Sequence, residues 1–162
     1  MPVRPARPED AAAIVAILDR EIRTGVAHFG DAAPSEDDVR QDIGQQATHP
    51  YLVFDDDGVL GFAALRPWKD RAAYRWSAEV GIYLAAGAQG RGLGGQLLDA
   101  LIDAGGRAGL RTLVAGMTLP NPASQGLFES RGFLHAGRFP LIGFKEERWH
   151  DVGYWTLRLP SR

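Results

Sequence analysis

A carboxylate interrupts an apolar run in Trp76-Ser77-Ala78-Glu79-Val80-Gly81-Ile82-Tyr83-Leu84. Ala78, Val80, Ile82 and Leu84 alternate as one face of a strand, and Ser77, Glu79, Gly81 and Tyr83 form the other. A charge in mid-strand is costly unless it has a partner or a chemical task. An ion pair with Lys69, Arg71 or Arg75 would satisfy it. Service as a general base would do so equally, because burial raises a carboxyl pKa towards neutrality. Directly after this run stands Gln89-Gly90-Arg91-Gly92-Leu93-Gly94-Gly95, which leads into Leu97, Leu98, Leu101 and Ile102 at helical spacing. A strand, a glycine turn and a helix leave backbone N–H groups free at the helix N-terminus, where an anion binds. Glycine keeps side chains out of the approach, and Arg91 adds a cation. The turn reads as a pyrophosphate cradle. It lacks the Gly-Lys-Ser/Thr ending of a nucleotide P-loop, and it lies too late in the chain for a dinucleotide fingerprint.

Two mixed clusters flank these stretches. One holds Trp68, Lys69, Arg71, Tyr74 and Trp76; the other holds Lys145, Arg148, Trp149, His150 and Asp151. Cations suit an acidic substrate group, and aromatic rings suit pocket walls. A tryptophan serves equally as a core or dimer-interface anchor, Trp155 above all. His28, His49 and His135 show no metal-ligand spacing, and no metal is expected. The chain has no cysteine, which excludes disulfides and thiolate nucleophiles.

The elements that must position these residues follow from pattern. Val3 to Ala6 reads as an edge strand, and Pro8-Glu9-Asp10 opens a helix with Ile14, Val15, Ile17, Leu18 and Ile22 on one face. Thr24 to Pro34 is a loop. Ser35 and Asp38 form a capping box for a second helix carrying Val39, Ile43 and Ala47. Tyr51 to Phe54 and Val59 to Leu65 pair as a hairpin around Asp57-Gly58. After the strand from Trp76 to Leu84 and its helix, which Gly109 caps, come a strand from Leu113 to Thr118 and a helix from Asn121 to Arg131. Phe133 to Phe139 is a strand, 143–151 a loop and Val152 to Leu159 the last strand. The result is α/β (or α+β) with about seven strands of mixed direction and four helices.

With 162 residues, 45% of them hydrophobic and 23% charged, residues 1–162 make one domain able to bury a sizeable core. A net charge of −2 gives no general reason to bind nucleic acid or an anionic membrane. No run reaches membrane-spanning length and no apolar signal core opens the chain, so a cytoplasmic protein is expected.

Gln89-Gly90-Arg91-Gly92-Leu93-Gly94 resembles the acetyl-CoA motif of the GNAT superfamily of N-acetyltransferases. The two helices before the hairpin match that superfamily's order of elements. Asn121-x-x-Ser124-x-x-Leu127-Phe128-Glu129-x-x-Gly132-Phe133 resembles its second motif. Gly61 to Trp68, Tyr74-x-Trp76-x-x-Glu79 and Gly143-x-Lys145-x-x-x-Trp149-His150-Asp151-Val152-Gly153 are similar to the phosphinothricin acetyltransferase branch. The resemblance implies a mostly antiparallel GNAT sheet. It implies acetyl-CoA as co-substrate, with its diphosphate on Gln89, Gly90, Arg91, Gly92, Leu93, Gly94 and Gly95. The pantetheine arm would pair with the backbone of Ile82, Tyr83 and Leu84. Asn121 and Ser124 would contact the cofactor or cap their helix.

The resemblance further implies Glu79 as base and a small amino-acid-like amine as acceptor, in a pocket drawn from Lys69, Arg71, Tyr74, Trp76, Lys145 and Trp149. It also implies a homodimer and direct attack in a ternary complex. Two positions depart from the pattern. Phe128 stands where a tyrosine acid or a histidine is common, and Glu146 follows Lys145 where the branch often has histidine. An acyl-CoA-binding module without catalysis is therefore the alternative. A protein-tail acetyltransferase would need an acidic groove, against which the basic clusters speak.

Overall fold

The computed structural model describes residues 2–160. Seven strands form one sheet in the order β1-β2-β3-β4-β5-β7-β6. They are β1 (Val3–Pro5), β2 (Tyr51–Asp55), β3 (Val59–Pro67), β4 (Ser77–Leu84), β5 (Thr112–Thr118), β6 (Leu134–Lys145) and β7 (Arg148–Arg158). Neighbours run antiparallel except β4 and β5, which are parallel. Four α-helices accompany them: α1 (Ala11–Thr24), α2 (Glu36–Gly44), α3 (Leu93–Arg107) and α4 (Pro122–Glu129). This is the mixed, mostly antiparallel sheet expected from the sequence.

Both faces of the sheet are covered, which is why β2 reads as an unbroken apolar run rather than an alternating one. On one face Leu52, Phe54, Ala63, Leu65, Ala78 and Val80 pack with Leu93, Leu97, Leu98 and Leu101 of α3. On the other, Tyr51, Val53, Phe62 and Ala64 pack with Ile14, Ile17 and Leu18 of α1 and Val39 and Ile43 of α2. Local signals act where the pattern placed them. Ser35 Oγ accepts the Asp38 N–H at 3.0 Å and the Asp38 carboxylate accepts the Ser35 N–H at 3.2 Å, closing the capping box. Gly109 takes φ +89° just past α3.

The last hairpin differs from expectation. Strand 133–139, loop 143–151 and strand 152–159 are replaced by two long strands, with pairing down to Lys145↔Arg148. Glu146 and Glu147 both adopt left-handed conformations, with φ of 54° and 57°, and so make a two-residue primed turn. Phe144 and Trp149 pack across it with ring centroids 5.1 Å apart and planes tilted by 54°. Register breaks between Phe139 and Gly143 let β6 bulge, and the Asp151 carboxylate accepts the Leu141 N–H at 2.7 Å there.

Candidate active site

The site grows from a gap in the sheet. β4 and β5 pair only at Ser77↔Thr112, Ala78↔Leu113 and Glu79↔Val114, and then separate. The register of β4 with β3 runs unbroken from Pro67↔Ala78 to Gly61↔Leu84. Ala85 N–H donates to Leu60 C=O at 2.8 Å and Trp68 N–H to Ser77 C=O at 3.3 Å, which sets the parity of the ladder. Odd residues of β4 bond to β3. Val80, Ile82 and Leu84 turn their N–H and C=O groups towards the gap. Across it, bonds from Leu119 N–H to Asp151 C=O and from Leu159 N–H to Arg111 C=O commit the odd residues of β5 to β7, leaving the backbone of Gly116 and Thr118 facing the gap. Of Ile82, Tyr83 and Leu84, two therefore present an open edge that an extended chain could complete. Tyr83 is the correction: its backbone is spent on Phe62.

The glycine turn follows at the end of β4. Gly90 and Gly92 have φ of +76° and +79° and face open space, so their missing side chains serve conformation and access. Gly92 caps α3 without a side chain, and Gln96 N–H is the first helical amide to reach its acceptor, Gly92 C=O, at 3.3 Å. The amides of Leu93, Gly94 and Gly95 have no acceptor within the helix. Arg91 and Gln89 are exposed beside them. Open amides at a helix N-terminus, with a guanidinium adjacent, fit a diphosphate. Gly94 and Gly95 have side-chain neighbours, unlike Gly90 and Gly92. A Cβ on Gly94 would lie 3.7 Å from Leu127, and one on Gly95 would collide with Arg131, which pairs with Asp99 at 3.0 Å. At Gly94 a side chain would find ordinary contact distance, and at Gly95 it would displace the Arg131 guanidinium from its place beside the helix. Asn121 caps α4, its Oδ1 accepting the Ser124 N–H at 3.1 Å. Phe128 is buried edge-on against Phe133 at 5.0 Å and has no proton to give.

Glu79 is half-buried where the gap opens. Two adjoining cavities, of about 490 and 410 Å³, share Glu79, Val80, Tyr83 and His28. The first is completed by Tyr51, Phe62, Arg66 and the α2 residues Asp38 and Asp42. The second is completed by Phe29, Gly116, Thr118, Ile142 and Tyr154. Burial pushes the Glu79 carboxyl pKa up, and the charges of Lys69 and Arg66 partly offset this. Among the described residues Glu79 has no ion-pair partner, and Arg66, opposite it in the ladder, lies 3.8 Å from Asp42 instead. Burial also holds the phenol of Tyr83 up at about 12, assisted by Glu21 and Glu79, and raises that of Tyr154, assisted by Glu79. Tyr154 reaches this place because β5 carries glycine under it; a Cβ at Gly116 would stand 2.8 Å from the ring.

The expected acceptor residues are scattered. None of Lys69, Arg71, Tyr74, Trp76, Lys145 and Trp149 lines either cavity. Lys69 lies 4.7 Å over the Trp68 ring, close enough for its charge to act on Glu79. Lys145 donates to the His28 carbonyl. Arg71 and Tyr74 are exposed around a short 3₁₀ turn. Trp76 lies under Arg75 at 3.7 Å and borders a separate cavity with Arg111 and Arg158. Trp149 is 61% exposed on the hairpin. The residues that do gather, His28, Arg66, Tyr83 and Tyr154, come from four different elements. Only Tyr83, on the Glu79 face of the same strand, was placed beside Glu79 by the sequence pattern.

The model of the acetyltransferase (GNAT) family matches residues 14–133. The phosphinothricin N-acetyltransferase of Streptomyces viridochromogenes is 34% identical over 98% of this chain and 89% of its own. The L-methionine sulfoximine/L-methionine sulfone acetyltransferase of Salmonella typhimurium is 33% identical over 98% of this chain and 95% of its own. Among solved structures, an acetyltransferase from Salmonella typhimurium with its cofactor acetyl-CoA superimposes with a TM-score of 0.93 at 31% identity, over 99% of this chain and 94% of that one.

Proposed function

The chain belongs to the GNAT family of acetyltransferases and is an acetyl-CoA-dependent N-acetyltransferase; from that premise we propose that its acceptor is the amine of a small amino-acid-like molecule, of the methionine sulfone, methionine sulfoximine or phosphinothricin type. The observation that carries this is the placement of Glu79. It is half-buried, unpaired among the described residues, and stands where the sheet opens between a walled cavity and the strand edge leading to the glycine turn. The cavities are sized for a small molecule, and the first sets Arg66 beside Asp38, Asp42 and Glu79, so that it carries groups of both signs for an amino-acid-like ligand.

In this reading the amides of Gly90 to Gly95 and the Arg91 guanidinium hold the diphosphate, with Gln89 beside them. Ile82 and Leu84 pair with the pantetheine arm, and a backbone N–H of β4 polarises the thioester carbonyl. Asn121 keeps its Nδ2, and Ser124 its hydroxyl, for the cofactor. Glu79 accepts a proton from the acceptor's ammonium, directly or through water. The freed amine attacks the acetyl carbon, the C–S bond breaks, and the second proton lost from the nitrogen passes through water to the departing thiolate, since Phe128 has none to give. Arg66, on the wall of the first cavity, is the cation placed to meet an anionic group of the acceptor.

Thiol release from acetyl-CoA in the presence of methionine sulfone, methionine sulfoximine, phosphinothricin and free amino acids tests the assignment. At least one of these is expected to be acetylated well above the rate of simple hydrolysis. Tight acetyl-CoA binding without thiol release from any of them would replace the enzyme reading with that of a binding module.

A homodimer is part of the same proposal. Leu134, Phe139, Leu141, Ile142, Phe144 and Trp149 stand exposed on the β6–β7 hairpin at the outer edge of the sheet. An apolar patch on an edge strand is a surface that a second copy would cover. Sedimentation equilibrium is expected to give about twice the 17.6 kDa chain mass, and Phe144→Glu to shift it towards one. A monomeric wild-type protein would end this part of the proposal.

A further inference from the structure

His28 is held in place from several sides. The Gly30 N–H donates to its Nδ1 at 2.9 Å. The ring packs against Tyr83 at 5.8 Å, and its Cε1 occupies space 2.7 Å from where a Cβ on Gly30 would stand. The backbone on either side is tied down as well. Lys145 donates to the His28 carbonyl, and Thr118 Oγ1 donates to the Val26 carbonyl at 2.7 Å. The loop between α1 and α2 is thus fastened to both β5 and the final hairpin.

These contacts decide what the ring offers. An Nδ1 that accepts a backbone N–H leaves the hydrogen of the neutral imidazole on Nε2. Burial, and then Lys145 and Arg66, hold the ring below its ordinary pKa, with Glu21 opposing, so the neutral form prevails at neutral pH. The Nε2–H finds no acceptor among the described residues, while His28 lines both cavities that contain Glu79. A fixed donor left unspent beside the reacting centre discriminates between ligands: an acceptor with an oxygen to receive it gains a bond, and one without leaves the donor desolvated and unpaired.

We propose that His28 selects the side chain of the acceptor, its Nε2–H donating to an oxygen that the side chain carries. Sulfone, sulfoximine, phosphinate and carboxylate groups are favoured over a thioether or alkyl chain of similar length. This rests on the reading that the site acetylates amino-acid-like amines. The test compares methionine sulfone with methionine, which differ only in the two sulfur-bound oxygens, by kcat/KM in the wild type, His28→Phe, His28→Asn and Gly30→Ala. The wild type is expected to prefer the sulfone. His28→Phe should lower that preference about ten-fold, the scale of one neutral hydrogen bond. His28→Asn, which keeps an N–H donor, should restore part of it. Gly30→Ala, which displaces the ring without changing its chemistry, should behave like His28→Phe. An unchanged sulfone-to-methionine ratio in His28→Phe overturns the proposal, as does an equal loss for both acceptors, which would mark a purely structural residue. A wild type that acetylates neither compound, nor any other in the acceptor panel, overturns the underlying reading and this proposal with it.

Discussion

Glu79→Gln is expected to lower kcat/KM for the acceptor by about 10²–10⁴, the range for loss of a general base, while KM for acetyl-CoA changes little. Glutamine keeps the shape and some hydrogen-bonding capacity but cannot accept the proton of an ammonium group. The pH profile carries the sign. Burial raises the carboxyl pKa, so wild-type kcat/KM should fall as pH drops through that raised value and the base becomes protonated. The variant should lack this acidic limb. Stability should move the other way. A carboxyl whose folded pKa lies above its unfolded value favours folding when protonated, and that contribution is lost as pH rises through the folded pKa. Glutamine imitates the protonated form. The variant should therefore melt no lower than the wild type at neutral pH, with the difference vanishing below the unfolded pKa of about 4.3. A variant that loses activity together with stability would point to a structural carboxylate, and undiminished turnover would remove Glu79 from the chemistry.

The second large effect belongs to the turn. Gly92→Val is expected to raise KM for acetyl-CoA roughly 10- to 100-fold, the equivalent of about 1–3 kcal/mol of backbone strain at φ +79°. A β-branched residue there either bends the turn away from its left-handed geometry or lays a side chain over the amides of Leu93 and Gly94. Gly87 supplies the control. It has φ +78° and, like Gly92, nothing near a prospective Cβ, but it precedes the turn and caps no helix. Gly87→Val should lose comparable stability and leave the KM for acetyl-CoA much nearer the wild-type value. An equal rise in both variants would mean that the effect is general destabilisation and not the cradle.

The parts of the site that were legible in the chain are the parts built from neighbours in sequence. A strand, glycine turn and helix occupy 77–107 without interruption, so their chemistry can be read in one pass. The Ser35 capping box and the Asn121 cap are equally local. The acceptor cavity is assembled from distant segments, and its residues carry no common spacing. His28 lies 51 residues before Glu79 in number, a separation that only the sheet order closes. The cluster from Trp68 to Trp76 misled because nearness in sequence is not nearness in space: the 3₁₀ turn at Ala72–Tyr74 carries Arg71, Tyr74 and Trp76 away from the cavity. The length of the last hairpin was hidden for a different reason. Glu146-Glu147 has none of the glycine or asparagine that ordinarily announces a primed turn, and the long cross-strand ladder, including Phe144 on Trp149, holds the two left-handed glutamates in place. The parity of β4, which separates Ile82 and Leu84 from Tyr83, depends on which residue of β3 lies opposite, and the alternation along a single strand does not contain that information.

The separation of β4 from β5 also has a mechanical side. Strands β1 to β4 and β5 to β7 are two panels, joined edge to edge by three residue pairs at one end and open at the other. Such a sheet resembles a hinged clasp, whose opening angle is governed by whatever lies between the panels. A ligand threaded along the free amides of Ile82 and Leu84 would act as the missing stitch between the two panels, which otherwise meet only at those three pairs and through the shared core beneath. Amide hydrogen exchange should then slow along β4 beyond Glu79 and along β5 beyond Val114 together, rather than one strand at a time, when the donor binds.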